Sequence, residues 1–130
     1  LELNGTIINV SSIAGKRGSV NNAVYCASKF GVNGLTQALA KELGPRTIRV
    51  NAVCPVLVAT DGLIEALKSS YSPAKDNTKK FLDDFAATQS ALGRLPTVAE
   101  VGDVCVFLAS DKASAITGQC INVDCGVFPQ

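Results

Sequence analysis

Apolar residues fall in short blocks parted by polar and glycine-bearing stretches, and the length and period of each block separate strands from helices. Residues Gly5 to Ser11, GTIINVS, form a short β-branched run without helical period, as expected of a central strand covered on both faces. Ser, Gly and Asn crowd residues 12 to 22 and predict a loop. From Ala23 to Leu43 the chain turns rich in Ala and Leu, with Asn22 placed to cap the start and Gly44-Pro45 placed to stop the end. That pattern predicts one long helix. Thr47 to Cys54, TIRVNAVC, is a second β-branched block. A strand, a long crossover helix and another strand make a parallel pair, so the first 54 residues predict an α/β fold.

Between Pro55 and Pro96 the pattern weakens. Leu63, Ile64 and Leu67, then Phe81, Leu82, Phe85 and Ala86, predict two short amphipathic helices around a Ser-Ser-Tyr-Ser-Pro loop. Thr97 and Glu100 have the spacing of a capping box. Val98, Val101, Val104, Cys105 and Leu108 extend it as an apolar stripe at helical period, ending near Ser110-Asp111. Gln119 to Asp124 predict a last strand, and Gly126 to Gln130 follow it. No internal repeat or low-complexity tract interrupts this order.

Composition narrows the function classes. With 47% hydrophobic and 18% charged residues, the 130-residue chain has the content of one globular domain. Its net charge of +1 carries no footprint for nucleic acid or an acidic membrane surface, and no apolar run reaches bilayer-spanning length. A small-molecule partner and a cytoplasmic location are expected. Five cysteines without a CxxC pair, and no histidine, indicate neither a zinc site nor a disulfide framework. The absence of Met, in a chain that opens Leu1-Glu2-Leu3 just ahead of a strand, leads us to expect a missing upstream part.

The candidate chemistry centres on Ser12, Tyr25 and Lys29. Tyr25 and Lys29 lie four residues apart on the long helix and so share a face. A free phenol exchanges its proton near pH 10, and a neighbouring ammonium favours the phenolate, which makes the pair a candidate acid-base. Ser12, at the end of the first strand, could donate a hydrogen bond to a carbonyl oxygen and polarise it. The lack of histidine argues against a Ser-His hydrolase triad. The Tyr-x-x-x-Lys spacing alone is weak, since a surface lysine beside a half-buried tyrosine also has it.

Context decides the matter. GTIINVSSIAG followed by YCASK, with Ser12 thirteen residues before Tyr25, closely resembles the short-chain dehydrogenase/reductase family. IRVNAVCPVLVAT, GRLPTVAEVGDVCVFLASD and ITGQCINVDCG continue the resemblance over nearly the whole chain, as in 3-oxoacyl-ACP reductase-like members. The resemblance implies the C-terminal half of a Rossmann-like, doubly wound parallel sheet, with residues 1–130 as a single partial domain. It implies NAD or NADP as cofactor and interconversion of a secondary alcohol and a ketone by hydride transfer. Ser12 would position the substrate oxygen, Tyr25 would be the acid-base, and Lys29 would hold the nicotinamide ribose. Pro55, Val56, Val58 and Thr60 would line the cofactor, and residues 63 to 92 would form the substrate lid, where Tyr71, Phe81 and Phe85 could line a pocket or pack as helix residues.

Two positions depart from the family's pattern: Val56 stands where glycine is usual, and Cys125 stands where the family has the first glycine of Val-Asp-Gly-Gly. The Gly-rich turn that holds a dinucleotide's pyrophosphate is absent, as is the usual early half of the fold. The competing reading is therefore a truncated, non-catalytic module that associates through its long helix and binds no dinucleotide. On that helix, at about 100° per residue, Ala27, Gly31, Gly34 and Ala38 gather opposite Tyr25. Such a face either packs on the chain's own sheet or meets another subunit, and the family resemblance implies a homo-oligomer, dimer or tetramer, through helix 23–43. Cys26, beside Tyr25 but without a histidine to activate it, reads as a packing residue.

Overall fold

The computed structural model describes residues 4–130, and its elements follow the order read from the blocks. Strand β1 (Gly5–Val10) leads to helix α1 (Ala23–Leu43) and strand β2 (Ile48–Pro55). Helices α2 (Asp61–Leu67), α3 (Thr78–Gln89) and α4 (Val98–Ala109) then precede strand β3 (Cys120–Val123). The sheet runs β1-β2-β3, all parallel, with Gly5 opposite Ile48 and Ala52 opposite Cys120. This is the expected α/β, Rossmann-like architecture.

Strand β2 is the centre of the molecule. Val50 through Cys54 are fully buried, because alternate side chains point to opposite faces and both faces are covered. Val53 packs with Leu108 of α4 and Ala113. One residue on, the Cys54 thiol donates to Asn33 Oδ1 of α1 at 3.8 Å. Helices α1 and α4 thus lie on opposite faces. Asn51 survives full burial because both ends of its amide are used: Nδ2 donates to the Ile116 carbonyl at 2.8 Å, and Oδ1 accepts from Gln119 N at 3.0 Å. Arg49 sends Nη1 to the Leu108 carbonyl (2.8 Å) and Nη2 to the Ser110 carbonyl (3.2 Å), satisfying orphan groups at the end of α4.

Several expectations are corrected. Strand β1 is not central among the described residues; it is an edge strand, and Ile7 and Val10 are 38% and 59% exposed. Asn22 precedes α1 but makes no side-chain cap; its Nδ2 donates to Ser19 Oγ at 3.2 Å. The α-helix does end at Leu43, where Gly44-Pro45 is placed to stop it; Gly44, its C-cap, keeps right-handed φ (−52°), and a separate 3-10 turn through Arg46 follows. The reversal falls on Thr47 at φ 57°, so β2 begins one residue later than its β-branched block. β1 stops at Val10 rather than Ser11, and β3 covers only Cys120–Val123 of the expected 119–124.

Local signals hold better where caps are involved. Thr97 Oγ1 accepts from Glu100 N at 3.2 Å while Thr97 N donates to Glu100 Oε2 at 2.8 Å, completing the capping box of α4. Val101, Val104, Cys105 and Leu108 turn inward, whereas Val98 at the helix start is exposed. Thr60 Oγ1 caps α2 through Leu63 N, and Asn77 Oδ1 caps α3 through Lys80 N. Phe81 and Phe85 form a tilted pair with centroids 6.4 Å apart. Exposed Lys79–Asp83 and Lys80–Asp84 pairs line the outer side of α3. Among the described residues no helix is long and apolar enough to cross a membrane.

Candidate active site

The site is assembled where β1 hands the chain to the loop before α1. Ser11 N continues the ladder to the Val53 carbonyl at 2.8 Å, so the strand's direction is held one residue past its end. Ser12 follows in extended conformation, and its Oγ accepts from Ala14 N at 3.1 Å, capping the 3-10 turn Ile13–Gly15. That bond uses a lone pair and leaves the hydroxyl hydrogen to donate elsewhere.

Tyr25 lies in the first turn of α1 and is 46% exposed. Lys29, one turn on, places Nζ 5.6 Å from the Tyr25 ring centroid and donates to the Val10 carbonyl at 3.0 Å. One ammonium therefore touches both the tyrosine and the strand end that leads to Ser12. It has three N–H donors, and the strand carbonyl occupies one.

Three residues that spacing did not single out hold this arrangement. Ser11 Oγ donates to the Lys29 carbonyl at 3.3 Å. Asn33, buried one further turn along α1, donates Nδ2 to the Gly15 carbonyl at 3.0 Å. Gly15 itself sits so close to α1 that a Cβ there would stand 2.6 Å from the Lys29 carbonyl oxygen. The only sequence sign of this contact was a glycine in a loop that also had Gly18.

From Pro55, the last residue of β2, the chain runs through Val56, Val58 and Thr60 at the carboxyl edge of the sheet, where ligands of open parallel sheets bind. Thr60 N donates to the Val58 carbonyl at 2.7 Å, making a tight turn whose next act is to start α2. A separate open cleft of about 710 Å³ lies between α2, α3 and the segment before α4, lined by Ala59, Ile64, Leu82, Ala86, Arg94 and Leu95. None of Ser12, Tyr25 and Lys29 lines it. Tyr71, at 92% exposure, does not line it either, whereas Phe85 packs on the cluster of Ile13, Cys54 and Val127.

A family model described as Enoyl-(Acyl carrier protein) reductase matches residues 1–128. The chain belongs to the short-chain dehydrogenase/reductase family. It is 43% identical over 124 residues to the 3-oxoacyl-acyl-carrier-protein reductase FabG of Thermotoga maritima, covering 95% of the chain and 46% of that relative. The fold superposes on actinorhodin polyketide ketoreductase solved with NADPH at a TM-score of 0.85 and 38% identity, over 95% of the chain and 47% of that protein. It also matches 4-hydroxyisoleucine dehydrogenase complexed with NADH, at a TM-score of 0.76 and 27% identity, over 98% and 48% of the two chains. The chain spans about half the length of the curated relatives it matches.

Within this dehydrogenase/reductase framework, the two departures acquire physical meaning. Val56 packs its side chain against Ile13, Cys54 and Val127, so a bulkier residue in the family's glycine position is absorbed by the core. Cys125 adopts φ 54°, a left-handed backbone that suits the glycine usual there. Cys26 is buried with its sulfur 3.7 Å from Ser19 Oγ, and burial pushes the Cys54 and Cys120 thiols above their ordinary value.

Proposed function

We propose that this chain is the catalytic half of an NAD(P)-dependent oxidoreductase that interconverts a secondary alcohol and a ketone on a small organic substrate. The observation that carries the reading is Lys29: one ammonium 3.0 Å from the Val10 carbonyl and 5.6 Å from the Tyr25 ring. A nicotinamide dinucleotide, NAD or NADP, supplies hydride in reduction and takes it up in oxidation. Lys29 fits its ribose because two N–H donors remain beyond the strand carbonyl. Pro55, Val56, Val58 and Thr60 would flank the nicotinamide, Val56 through its backbone because its side chain is taken by the core, and Thr60 with its hydroxyl hydrogen still free, since Oγ1 only accepts in the α2 cap.

In the reducing direction Tyr25 transfers its phenolic proton to the carbonyl oxygen as hydride reaches the carbon, giving the alcohol and a phenolate. Ser12, its hydroxyl hydrogen free, donates to the same oxygen and stabilises the negative charge developing there. Lys29 lends positive charge beside the phenolate. The oxidising direction is the reverse, with the alcohol proton passing to Tyr25.

The reading extends to assembly and location. Ala27, Gly31, Gly34 and Ala38 are exposed on α1, and a Cβ at Gly31 or Gly34 would meet nothing within 4 Å, so this stripe does not pack on the described chain. A second copy would cover it, giving a homo-oligomer. Five free thiols suit a reducing, cytoplasmic compartment.

The test uses protein made from the whole coding sequence. Tyr25→Phe is expected to lower carbonyl reduction by about 10³-fold or more while leaving NADH or NADPH binding, read by Tyr71-containing intrinsic fluorescence or calorimetry, within about twofold. Near-normal turnover removes Tyr25 from the acid-base role. A folded wild-type protein that binds neither dinucleotide supports the non-catalytic module instead.

A further inference from the structure

The loop that carries Ser12 is held from two sides, and only one side is α1. On the other side, Lys16 reaches across the sheet's end: Nζ donates to the Cys120 carbonyl of β3 at 2.6 Å and to Gln130 Oε1 at 2.8 Å. The next residue, Arg17, sets its guanidinium 5.1 Å from the Phe128 ring centroid. Ile13, at the start of the same turn, packs with Val127. Among the described residues no backbone hydrogen bond joins the loop to the segment after β3, so these side chains make the connection.

That segment is built to receive them. Buried Asp124 accepts from Gly126 N at 2.9 Å and Phe128 N at 2.8 Å, and Asn122 Nδ2 donates to the Phe128 carbonyl at 2.7 Å. The turn is thereby fixed by two side chains from the end of β3 and the residue after it. Lys16 is suited to bridge two elements because an ammonium offers three donors on a long stem, and charge-assisted bonds outweigh neutral ones. Its own backbone belongs to the Ser12 turn, with Lys16 N donating to the Ile13 carbonyl at 3.0 Å.

We propose that Lys16 is a positioning residue for Ser12, clamping the serine loop to β3 and to the segment 124–130 so that the orientation of the Ser12 hydroxyl depends on that segment. The inference rests on the catalytic reading of Ser12. Ser12 touches the substrate oxygen, whereas Lys16 acts through the turn between them.

The experiment compares Lys16→Met, Lys16→Arg and Gln130→Leu in protein made from the whole coding sequence, by hydrogen exchange and by steady-state kinetics. Lys16→Met is expected to speed amide exchange in residues 13–20 about tenfold and to lower kcat about tenfold, with the dinucleotide KM within about twofold. Lys16→Arg, which keeps a cationic donor, is expected to restore most of both. Gln130→Leu removes only the exposed acceptor and is expected to give a smaller change of the same sign, which keeps the test decisive if Lys16→Met folds poorly. Unchanged exchange in residues 13–20 in both Lys16→Met and Gln130→Leu overturns the proposal, as does a loss of turnover that Lys16→Arg does not restore. A wild-type protein inactive on every carbonyl tried refutes the oxidoreductase reading and with it the role of Ser12, while the exchange data still show whether Lys16 holds the loop.

Discussion

Gly15 presses its Cα against the backbone of Lys29: a side chain at Gly15 would begin 2.6 Å from the Lys29 carbonyl oxygen and 2.8 Å from its carbonyl carbon. This close approach joins the loop bearing Ser12 to the helix turn bearing Lys29, and the Asn33 amide seals it through the Gly15 carbonyl. The distance between the serine and the tyrosine–lysine pair is set here.

Gly15→Ala is therefore expected to be costly, because the obstruction is backbone and cannot rotate away. Overpacking of this kind destabilises by about 1–3 kcal/mol. Urea denaturation reads the loss, and turnover should fall with it as the loop moves off α1. A variant within about 0.5 kcal/mol of wild type means the contact is looser than described.

Cys125→Gly is expected to stabilise the protein. A left-handed backbone costs an L-residue roughly 1–2 kcal/mol, and the freer unfolded chain of glycine takes back about 0.4–1, leaving a net gain of about 0–1.6 kcal/mol. The Cys125 carbonyl, which accepts from Leu92 N and Ser90 Oγ, is kept in the variant. A lowered thermal midpoint would show that the thiol contributes packing that outweighs the backbone strain at φ 54°.

The Arg94–Glu100 pair gives stability a defined pH dependence. The two Arg94 hydrogen bonds first, then the Thr97 backbone N–H, hold the Glu100 carboxyl down from 4.5 to about 2. A depressed carboxylate contributes fully above its unfolded value and loses that contribution as pH falls through its folded one. Glu100→Gln, which retains the capping-box geometry, should be less stable than wild type at pH 7, and the gap should close between about pH 4.5 and pH 2. A gap that stays constant across that range assigns the difference to packing rather than charge. The effect should be modest, since the pair is solvent-exposed and salt screens it.

Gly34→Leu isolates the outer face of α1. A Cβ at Gly34 meets nothing within 4 Å, so the substitution fits the folded chain and strains only a neighbour. Light scattering should show a smaller assembly mass, with the far-ultraviolet circular dichroism unchanged. An unaltered mass would falsify assembly through this helix.

The sequence by itself determined the order of strands and helices, the parallel α/β class, the capping box at Thr97 and the placing of Tyr25 and Lys29 one turn apart on one helix. Each of these is written in neighbours a few residues apart: a period of two or 3.6, a hydroxyl three residues before a carboxylate, a lysine one turn after a tyrosine. Only the tertiary structure decided what lies far apart in the chain. The Asn33–Gly15 bond joins positions 18 residues apart, and Lys16 meets the Cys120 carbonyl across 104. No spacing rule reports such pairs, because they arise when the sheet brings its strand ends together. The same holds for the ends of elements. Asn22 had the right chemistry to cap α1, yet its side chain makes no cap bond and its Nδ2 donates to Ser19, and the left-handed residue after the helix fell on Thr47, beyond a 3-10 turn. Local chemistry proposes such partners, and competition among the contacts of the folded chain chooses between them.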